Sequence, residues 1–366
     1  MQNEVKTKKE PLFHIVKRSE ISRKKAFLIR GIAIAAALIL SAVVVAIIAR
    51  RDPFSFYASL LKGNFGSPRR IYNLLQGMAI LLCISLAVTP AFRMKFWNCG
   101  AEGQVLMGGL ATAACMVWFG NALPLPILLI VMFIASIAAG MIWAVIPAVC
   151  KALWKTNETL FTLMMNYVAI QLVAFALKIW VKDGSGVLKP MNNYGLPTIA
   201  GQPFILNTLI VAALTVACYI YLRYSKQGYE ISVVGESENT ARYIGINVKK
   251  VIIRTLCVSG AICGLAGFLL VGGTDHTINT DTVGGRGFTA IMVSWLAKFH
   301  PVYMVLTTFL VVFLERGAKQ VATDFRMSEA IADILTAIIL FFIIGCEFFI
   351  NYKVIIRHEE KKESNV

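Results

Sequence analysis

The sequence lacks the motifs that mark several common enzyme classes. It contains no Gly-x4-Gly-Lys-[Ser/Thr] phosphate loop, no His-Glu-x-x-His pair and no Gly-x-Ser-x-Gly nucleophile turn. Its eight cysteines are never spaced as Cys-x-x-Cys, which favours neither a metal site nor a disulfide framework. Neither nucleotide hydrolysis nor metal-dependent catalysis is therefore predicted for this chain, and no cofactor is expected.

Charged residues are also scarce. Asp, Glu, Lys and Arg make up 15% of the 366 residues, against about a quarter in a soluble domain, whereas 57% are hydrophobic. The apolar residues form runs long enough to cross a bilayer, such as 31–49, 205–222 and 331–350. The sequence therefore predicts an all-α polytopic protein of the cell membrane.

We predict about ten transmembrane helices. Two of them are short or broken, at 98–119 and 287–297. The other eight are ordinary spans at 27–48, 74–92, 125–149, 159–180, 205–222, 251–271, 302–314 and 331–350. An even number of crossings places both termini on one side of the membrane.

The 36 Lys and Arg residues outnumber the 20 Asp and Glu residues, and their densest blocks border predicted spans. Under the positive-inside rule these blocks lie in the cytoplasm beside membrane lipid, so no nucleic-acid binding is predicted. The predicted organisation is a basic cytoplasmic arm (1–26), a transmembrane domain (27–350) and a cytoplasmic tail (351–366). Within the domain, the loop 182–204 is extracellular and the loop 223–250 is cytoplasmic.

Two polar, glycine-bearing stretches interrupt the apolar sequence where spans begin. In hydrocarbon an unpaired backbone polar group costs several kcal/mol, so irregular backbone at membrane depth is tolerated only where it lines a cavity. In Asn98-Cys-Gly-Ala-Glu-Gly-Gln104, Gly100 permits a turn, Glu102 is ionisable, and Asn98 and Gln104 offer hydrogen bonds. The alternative is an ordinary helix N-terminus whose dipole Glu102 complements.

The second stretch is Gly284-Gly-Arg-Gly-Phe-Thr-Ala-Ile291. Gly285 and Gly287 allow close backbone approach, and Phe288 offers a flat apolar face; the alternative is a plain extracellular turn with Arg286 in solvent. Paired interruptions in two halves of a membrane protein indicate a solute path. We therefore expect the two breaks to face each other across an aqueous vestibule in the middle of the bilayer.

Polar residues also recur in the predicted span 159–180. Thr162 and Asn166 lie one turn apart, and Tyr167 follows directly. Such residues either line a cavity, where they would bind a polar solute, or form hydrogen bonds between neighbouring helices. The predicted substrate path thus comprises Asn98, Gly100, Glu102, Gln104, Thr162, Asn166, Tyr167, Gly285, Gly287 and Phe288.

The cytoplasmic loop contains Gly235-Glu-Ser-Glu-Asn-Thr-Ala-Arg-Tyr-Ile-Gly-Ile-Asn247. Ser237 or Asn239 can cap a short helix there, and Gly245 can end it. A short capped helix in a polar loop suits docking into a groove of another protein. An ordinary connector between two spans is the alternative.

Together these segments resemble an integral-membrane permease of ATP-driven importers, in the family that serves ribose-type sugars and branched-chain amino acids. Trp97-Asn-Cys-Gly-Ala-Glu-Gly-Gln104 resembles the family pattern Phe-Asn-Ile-Gly-Ala-Glu-Gly-Gln. The second match is Gly285-Arg-Gly-Phe288, followed by a short apolar helix and His300-Pro301. Residues 240–247 are similar to the coupling helix of the family, and residues 157–167 resemble its nucleoside-importing branch.

The sequence departs from the family pattern at three places. Trp97 stands where Phe is usual, Cys99 replaces an aliphatic residue, and Glu236-Ser-Glu stands where Glu-Asn-Pro is common. The family resemblance holds despite these differences. The differences bear on which substrate the permease carries and on which ATPase subunit pairs with it.

The resemblance implies a non-catalytic subunit that moves nucleosides by alternating access. Its implied partners are a second permease of homologous but different sequence, cytoplasmic ATP-binding subunits and an extracytoplasmic solute-binding lipoprotein. The implied ATPase-coupling residues are Glu236, Glu238, Ala241, Arg242, Tyr243, Ile244 and Gly245.

Other functions remain open at this stage. The same importer class carrying ribose-type sugars is one alternative. A secondary carrier driven by an ion gradient is another, although such carriers typically show a buried chain of acidic groups, and the predicted spans hold only Glu102, Asp333 and Glu347. For an intramembrane enzyme, no catalytic dyad is visible in the sequence.

Overall fold

The structure is a computed structural model that describes residues 13–18, 22–49, 53–181, 188–199, 202 and 204–356. Its helices and strands, in chain order, are β1 (Phe13–Lys17), α1 (Arg23–Ala49), α2 (Pro53–Phe65), α3 (Pro68–Arg93), α4 (Ala101–Phe119), α5 (Leu125–Trp154), α6 (Glu158–Trp180), α7 (Ile205–Tyr224), α8 (Lys226–Glu236), α9 (Glu238–Tyr243), α10 (Val248–Leu270), α11 (Arg286–Leu296), α12 (Pro301–Asp324), α13 (Glu329–Asn351) and β2 (Tyr352–Ile356).

Eight helices among the described residues are long and apolar enough to cross a membrane. They lie in α1, α3, α5, α6, α7, α10, α12 and α13, and each corresponds to one of the predicted ordinary spans. The two predicted short or broken spans correspond to α4, whose first turns hold Glu102 and Gln104, and to the 11-residue α11. A bilayer crossing needs about 20 apolar residues, so neither qualifies by length and composition alone.

Two helical segments differ most from the prediction. Helix α12 extends to Asp324, well past the predicted end at residue 314, because its polar residues pair along the helix surface. Lys319 bonds Glu315 at 3.0 Å, and Gln320 bonds Asp324 at 2.6 Å, each four residues apart. Helix α2 was not predicted at all.

The described chain divides into two compact units, one comprising residues 64–313 and the other the residues before and after it. In the unit formed by the two ends, α1 packs on α13, and Arg30 Nε donates to Glu347 Oε1 at 2.9 Å. Strands β1 and β2 pair antiparallel, with Phe13 opposite Ile356. This strand pair was not predicted, since the sequence analysis treated both ends as an arm and a tail.

The unit of residues 64–313 is built around α3, α4, α5 and α10. Helices α3 and α10 are 67% and 83% buried in their most apolar windows, whereas α5, α6 and α7 are 22–28% buried. Helix α10 is therefore central, and the other three present wide apolar surfaces to the outside.

Glycines allow α4, α5 and α10 to approach closely. A Cβ atom on Gly108 of α4 would lie 2.6 Å from the Cα atom of Gly264 on α10, and one on Gly140 of α5 would lie 2.7 Å from the same atom. A Cβ atom on Gly264 would overlap the carbonyl oxygen of Ser136. Small residues at helix contacts of this kind let backbones pack without large side chains between them.

The described part of the predicted extracellular loop folds over the end of α10. Met191 N donates to His276 O, and Leu196 N donates to Gly272 O, both at 2.8 Å. Gly195 lies against the His276 imidazole, and burial lowers the pKa of His276. The loop therefore packs against a histidine whose neutral form is favoured by burial.

Candidate solute path

The first break is held together by buried amide side chains. Asn98 Oδ1 accepts hydrogen bonds from Gln104 Nε2 and from Gly100 N, both at 3.1 Å, and Asn98 Nδ2 donates to Ser259 Oγ on α10 at 3.4 Å. Asn98 and Gln104 are both almost completely buried. Their polar groups thus satisfy the irregular backbone that connects α3 to α4 and fasten it to the centre of α10.

Two polar residues of α6 complete this break. Asn166 accepts a hydrogen bond from Gly103 N at 2.8 Å and donates one to Cys99 O at 2.9 Å. Thr162 Oγ1 accepts from Cys99 N at 3.1 Å. Thr162 and Asn166 therefore form hydrogen bonds between helices, which is the second of the two roles considered for them.

Close packing explains the glycines of the first break. A Cβ atom on Gly100 would lie 3.0 Å from the Thr162 Cβ atom, and one on Gly103 would lie 2.9 Å from Asn166 Oδ1. Side chains at these two positions would separate α4 from α6. The nearby Tyr167 points the other way and is 60% exposed.

Glu102 joins the first break directly to the second. Its Oε1 atom accepts a hydrogen bond from Gly285 N at 2.8 Å, and its Oε2 atom accepts one from Gly287 N at 2.7 Å. These amides lie at the start of α11, where free N–H groups and the helix dipole favour an anion. Neither reading of Glu102 from sequence, as a lining residue or as the complement of its own helix, foresaw this contact.

The glycines of the second break make the contact possible. Gly284 and Gly285 have φ angles of +61° and +75°, a region that residues with a Cβ atom seldom adopt. A Cβ atom on Gly287 would lie 2.6 Å from Glu102 N. The expected aqueous gap between the breaks is therefore absent at this point of the described chain, where the two stretches are in hydrogen-bond contact.

One side of α11 remains exposed. Gly284 and Gly285 are exposed at its start, and Phe288 and Trp295, which are two helical turns apart, are 44% and 50% exposed. Trp97, beside Asn98, is 45% exposed and contacts Trp295. Trp295 was not among the predicted path residues, although its seven-residue spacing from Phe288 places both on one helix face.

The predicted coupling segment forms a short capped helix, α9. Ser237 Oγ accepts a hydrogen bond from Thr240 N at 3.2 Å, and Gly245 ends the segment with a φ angle of +84°. Ala241 is buried, whereas Tyr243 and Ile244 are 94% and 52% exposed. The remaining predicted residues lie on the exposed surface around them: Glu236, Glu238 and Arg242, the last two paired at 3.2 Å.

An apolar cluster supports helix α9 from beneath. Its buried Ala241 belongs to an apolar cluster with Ile231 and Val234 of α8, Met94 and Phe96 after α3, and residues at the start of α10. Gly235 packs directly on the carbonyl oxygen of Arg93, at the end of α3. Helix α9 and the segment that leads into the first break therefore share one apolar cluster.

Comparison with known proteins identifies the family. Residues 70–344 match the family described as the branched-chain amino acid transport system permease component. The chain belongs to this family. Its members are non-catalytic subunits of ABC transporters, in which a separate subunit is the ATPase, and the protein is accordingly a multi-pass protein of the plasma membrane.

Three relatives illustrate the range of the family. The glucose ABC transporter permease protein TsgB13 of Haloferax volcanii is 29% identical over 318 residues, which cover 83% of each chain. The guanosine ABC transporter permease protein NupP of Bacillus subtilis is 30% identical over 299 residues, covering 79% of this chain and 85% of the relative. NupQ, a second guanosine permease protein of that organism, is 24% identical over 237 residues, covering 61% and 73%.

Proposed function

We propose that this protein forms one half of the translocation path of an ATP-driven nucleoside importer. In this proposal the path runs along the exposed side of the joined breaks, at Glu102, Gly285 and Phe288, whereas Tyr167 points away from the breaks and is left out of the path. The buried residues of the predicted path hold the breaks in place behind that surface: Asn98, Gly100, Gln104, Thr162, Asn166 and Gly287.

The observation that carries the proposal is the contact of the Glu102 carboxylate with Gly285 N and Gly287 N. A carboxylate within a membrane protein is costly unless it meets water or a partner, and such groups mark solute and ion pathways. Here it spans two interrupted helices from different parts of the chain. A movement of α4 relative to α11 would make or break this contact. Alternating access requires a rearrangement of this kind within the permease.

The proposed topology has ten transmembrane elements, the eight long helices together with α4 and α11. The pairing of β1 with β2 supports it, because chain ends that lie side by side require an even number of crossings between them. We place these ends and the helices α8 and α9 in the cytoplasm, in line with the Lys and Arg residues that flank them.

The proposed ATPase contact is α9. Tyr243 and Ile244 offer an exposed aromatic and aliphatic pair beside the charged Arg242, a composition typical of the residues that dominate protein interfaces. Closure of the ATPase subunits around ATP would displace α9, and the cluster beneath it would pass that displacement to the residues before the first break.

The proposed assembly pairs this chain with a second, different permease, and an extracytoplasmic solute-binding lipoprotein delivers the solute. The pairing is supported by the similarity of this chain to two permease proteins for guanosine from one organism. The wide exposed surfaces of α5, α6 and α7 leave room for a neighbouring subunit and for lipid.

Nucleosides are the proposed substrates because one relative at 30% identity is named for guanosine. Ribose-type or other sugars are the second candidate, since a relative at 29% identity is named for glucose. A nucleoside contains both an aromatic base and a sugar, so the two groups of substrates share a polar portion.

The test is uptake by the complex reconstituted in vesicles with its ATPase, second permease and binding protein. We expect ATP-dependent uptake of radiolabelled guanosine that excess unlabelled uridine or guanosine inhibits and excess ribose does not. Uptake of ribose without competition by nucleosides would instead support the sugar importer. Uptake that needs no ATP and collapses with a protonophore would show an ion-driven carrier and contradict the proposal.

A further inference from the structure

Two partly exposed tryptophans meet beside the joined breaks. Trp97 lies directly before the first break, Trp295 lies on α11, and their ring centroids are 5.5 Å apart with an angle of 47° between the planes. The two residues are 45% and 50% exposed, so each indole keeps part of its surface open. Large apolar rings left open in this way can bind another flat ring.

Two phenylalanine rings pack against these tryptophans. Phe92, which is 5% exposed, meets the Trp97 ring edge-on at 5.8 Å and stacks with Phe299 at 6.4 Å. Phe299 in turn meets the Trp295 ring at 6.1 Å. Because neighbouring rings fix both indoles from within, the exposed parts form a preorganised surface that loses little side-chain entropy on binding.

The pair lies at one end of an exposed strip on α11. Gly285, Phe288 and Trp295 share the exposed side of this helix, and ten residues at a rise of 1.5 Å place its two ends about 15 Å apart. The Gly285 end holds the Glu102 carboxylate, and the Trp295 end holds the indoles. The strip is thus polar at one end and aromatic at the other.

A membrane-interface belt is the ordinary explanation for exposed tryptophans. Trp118 and Trp180, whose centroids are 6.2 Å apart, fit that explanation because they lie at the C-terminal ends of α4 and α6. Trp97 differs from them, because it lies in the irregular segment between α3 and α4, beside the completely buried Asn98, which bonds Ser259 about half-way along α10. Its other neighbour, Phe96, packs with the start of α10.

We propose that Trp97 and Trp295 form a stacking platform for the base of a nucleoside in transit. This inference rests on the function proposed above and names the group of the substrate that the path contacts. Stacking on an indole requires only a flat aromatic ring and reads no hydrogen-bonding pattern, so the platform would accept purine and pyrimidine bases alike. The sugar hydroxyls of the same molecule would then point toward the polar end of the strip.

A stacking platform suits transport because it binds the base without holding it too tightly for release. A solute path must bind its solute well enough to admit it and weakly enough to release it. Two partly open indoles offer a contact of this moderate strength, and no charged group of the platform must be desolvated when the base binds.

The test compares substitutions at the two tryptophans in the reconstituted transporter, with guanosine as the probe. W97A and W295A should each lower the rate of guanosine uptake by about tenfold, the loss expected when a base loses an aromatic stacking partner. W97F and W295F should keep most of the uptake, since a phenyl ring still stacks. W97L and W295L should behave like the alanine variants although they preserve apolar bulk.

The matched control is W118A, which removes an exposed tryptophan from the other pair and should leave uptake within about twofold of the unsubstituted protein, as expected of surface changes away from such features. Equal uptake by the leucine and phenylalanine variants would overturn the platform, because a packing role needs no aromatic ring. If an alanine variant fails to accumulate in the membrane, the phenylalanine and leucine variants still give the decisive comparison. Failure of the unsubstituted complex to import guanosine would contradict the proposed function itself, before any variant is measured.

Discussion

At the scale of single residues, the site depends on a carboxylate that finds its partners in a distant part of the sequence. Glu102 is separated from Gly285 and Gly287 by more than 180 residues, yet it bonds both backbone amides at 2.7–2.8 Å. Hydrogen bonds to a charged group contribute more than neutral ones, about 1.5–3 kcal/mol each. This contact therefore stabilises the joined breaks, and substitution of its glycines should disturb transport.

The substitution Gly287→Ala tests this contact. Its new Cβ atom would lie 2.6 Å from Glu102 N and 2.7 Å from Glu102 Oε2, so one of the two hydrogen bonds must lengthen. We expect guanosine uptake by the reconstituted complex to fall by about tenfold, the effect of losing one charge-assisted hydrogen bond.

The control is Gly345→Ala on α13, where an added Cβ atom meets nothing within 4 Å. This variant should transport normally. Normal uptake by Gly287→Ala would mean that the contact between Glu102 and α11 is not needed for transport.

At the scale of elements, α9 is a six-residue helix that exposes Tyr243 and buries Ala241. Ser237 caps it, Ala241 anchors it in the apolar cluster, and Tyr243 extends outward with 94% of its surface exposed. An aromatic residue this exposed contributes nothing to the core of this chain. We propose that this exposed side chain contacts another protein.

The double substitution R242A/Y243A tests the proposed ATPase contact. We expect ATP-driven uptake to fall at least about tenfold, because truncating the central residues of an interface costs about 2 kcal/mol or more. The ATPase subunits should still hydrolyse ATP, and the amount of permease in the membrane should not change. Uptake and hydrolysis are measured on the same vesicles.

A suitable control for this pair is Y224A, which removes another tyrosine that is 72% exposed, at the end of α7. It should leave uptake coupled to hydrolysis. Undiminished uptake by R242A/Y243A would place the ATPase contact elsewhere on the chain.

At the scale of the whole molecule, the strand pair fixes the relation of the two chain ends. Residues 13–17 pair with residues 352–356, which supports the proposal that both ends of the described chain lie on the same side of a membrane. Ten transmembrane elements would place both ends on one side, as would any even number of crossings.

Reporter fusions test this topology. A fluorescent protein that matures only in the cytoplasm should be bright when fused before residue 13 or after residue 356. The same reporter inserted into the loop at residues 188–199 should be dark. A bright N-terminal fusion combined with a dark C-terminal one would contradict the strand pair and the even number of crossings.

The sequence predicted the long helices well because bilayer spans are local features. Each of the eight long helices overlaps a predicted ordinary span, and Ser237, which caps α9, is one of the two capping residues that residue type and spacing predicted. The strands β1 and β2 were missed because their pairing joins the two ends of the chain. The length of α12 was underestimated because its last turns are polar and are stabilised by pairs such as Lys319 with Glu315.

What the sequence by itself determined was the membrane class, the position of each long helix and the presence of two interruptions in the apolar pattern, because hydropathy and glycine content are properties of short segments. Only the tertiary structure decided what the interruptions do. It directed Asn98, Thr162 and Asn166 into hydrogen bonds within the protein and brought the Glu102 carboxylate onto the amides of α11. Such partners come from segments far apart in the chain, and local pattern carries no information about which of them will meet.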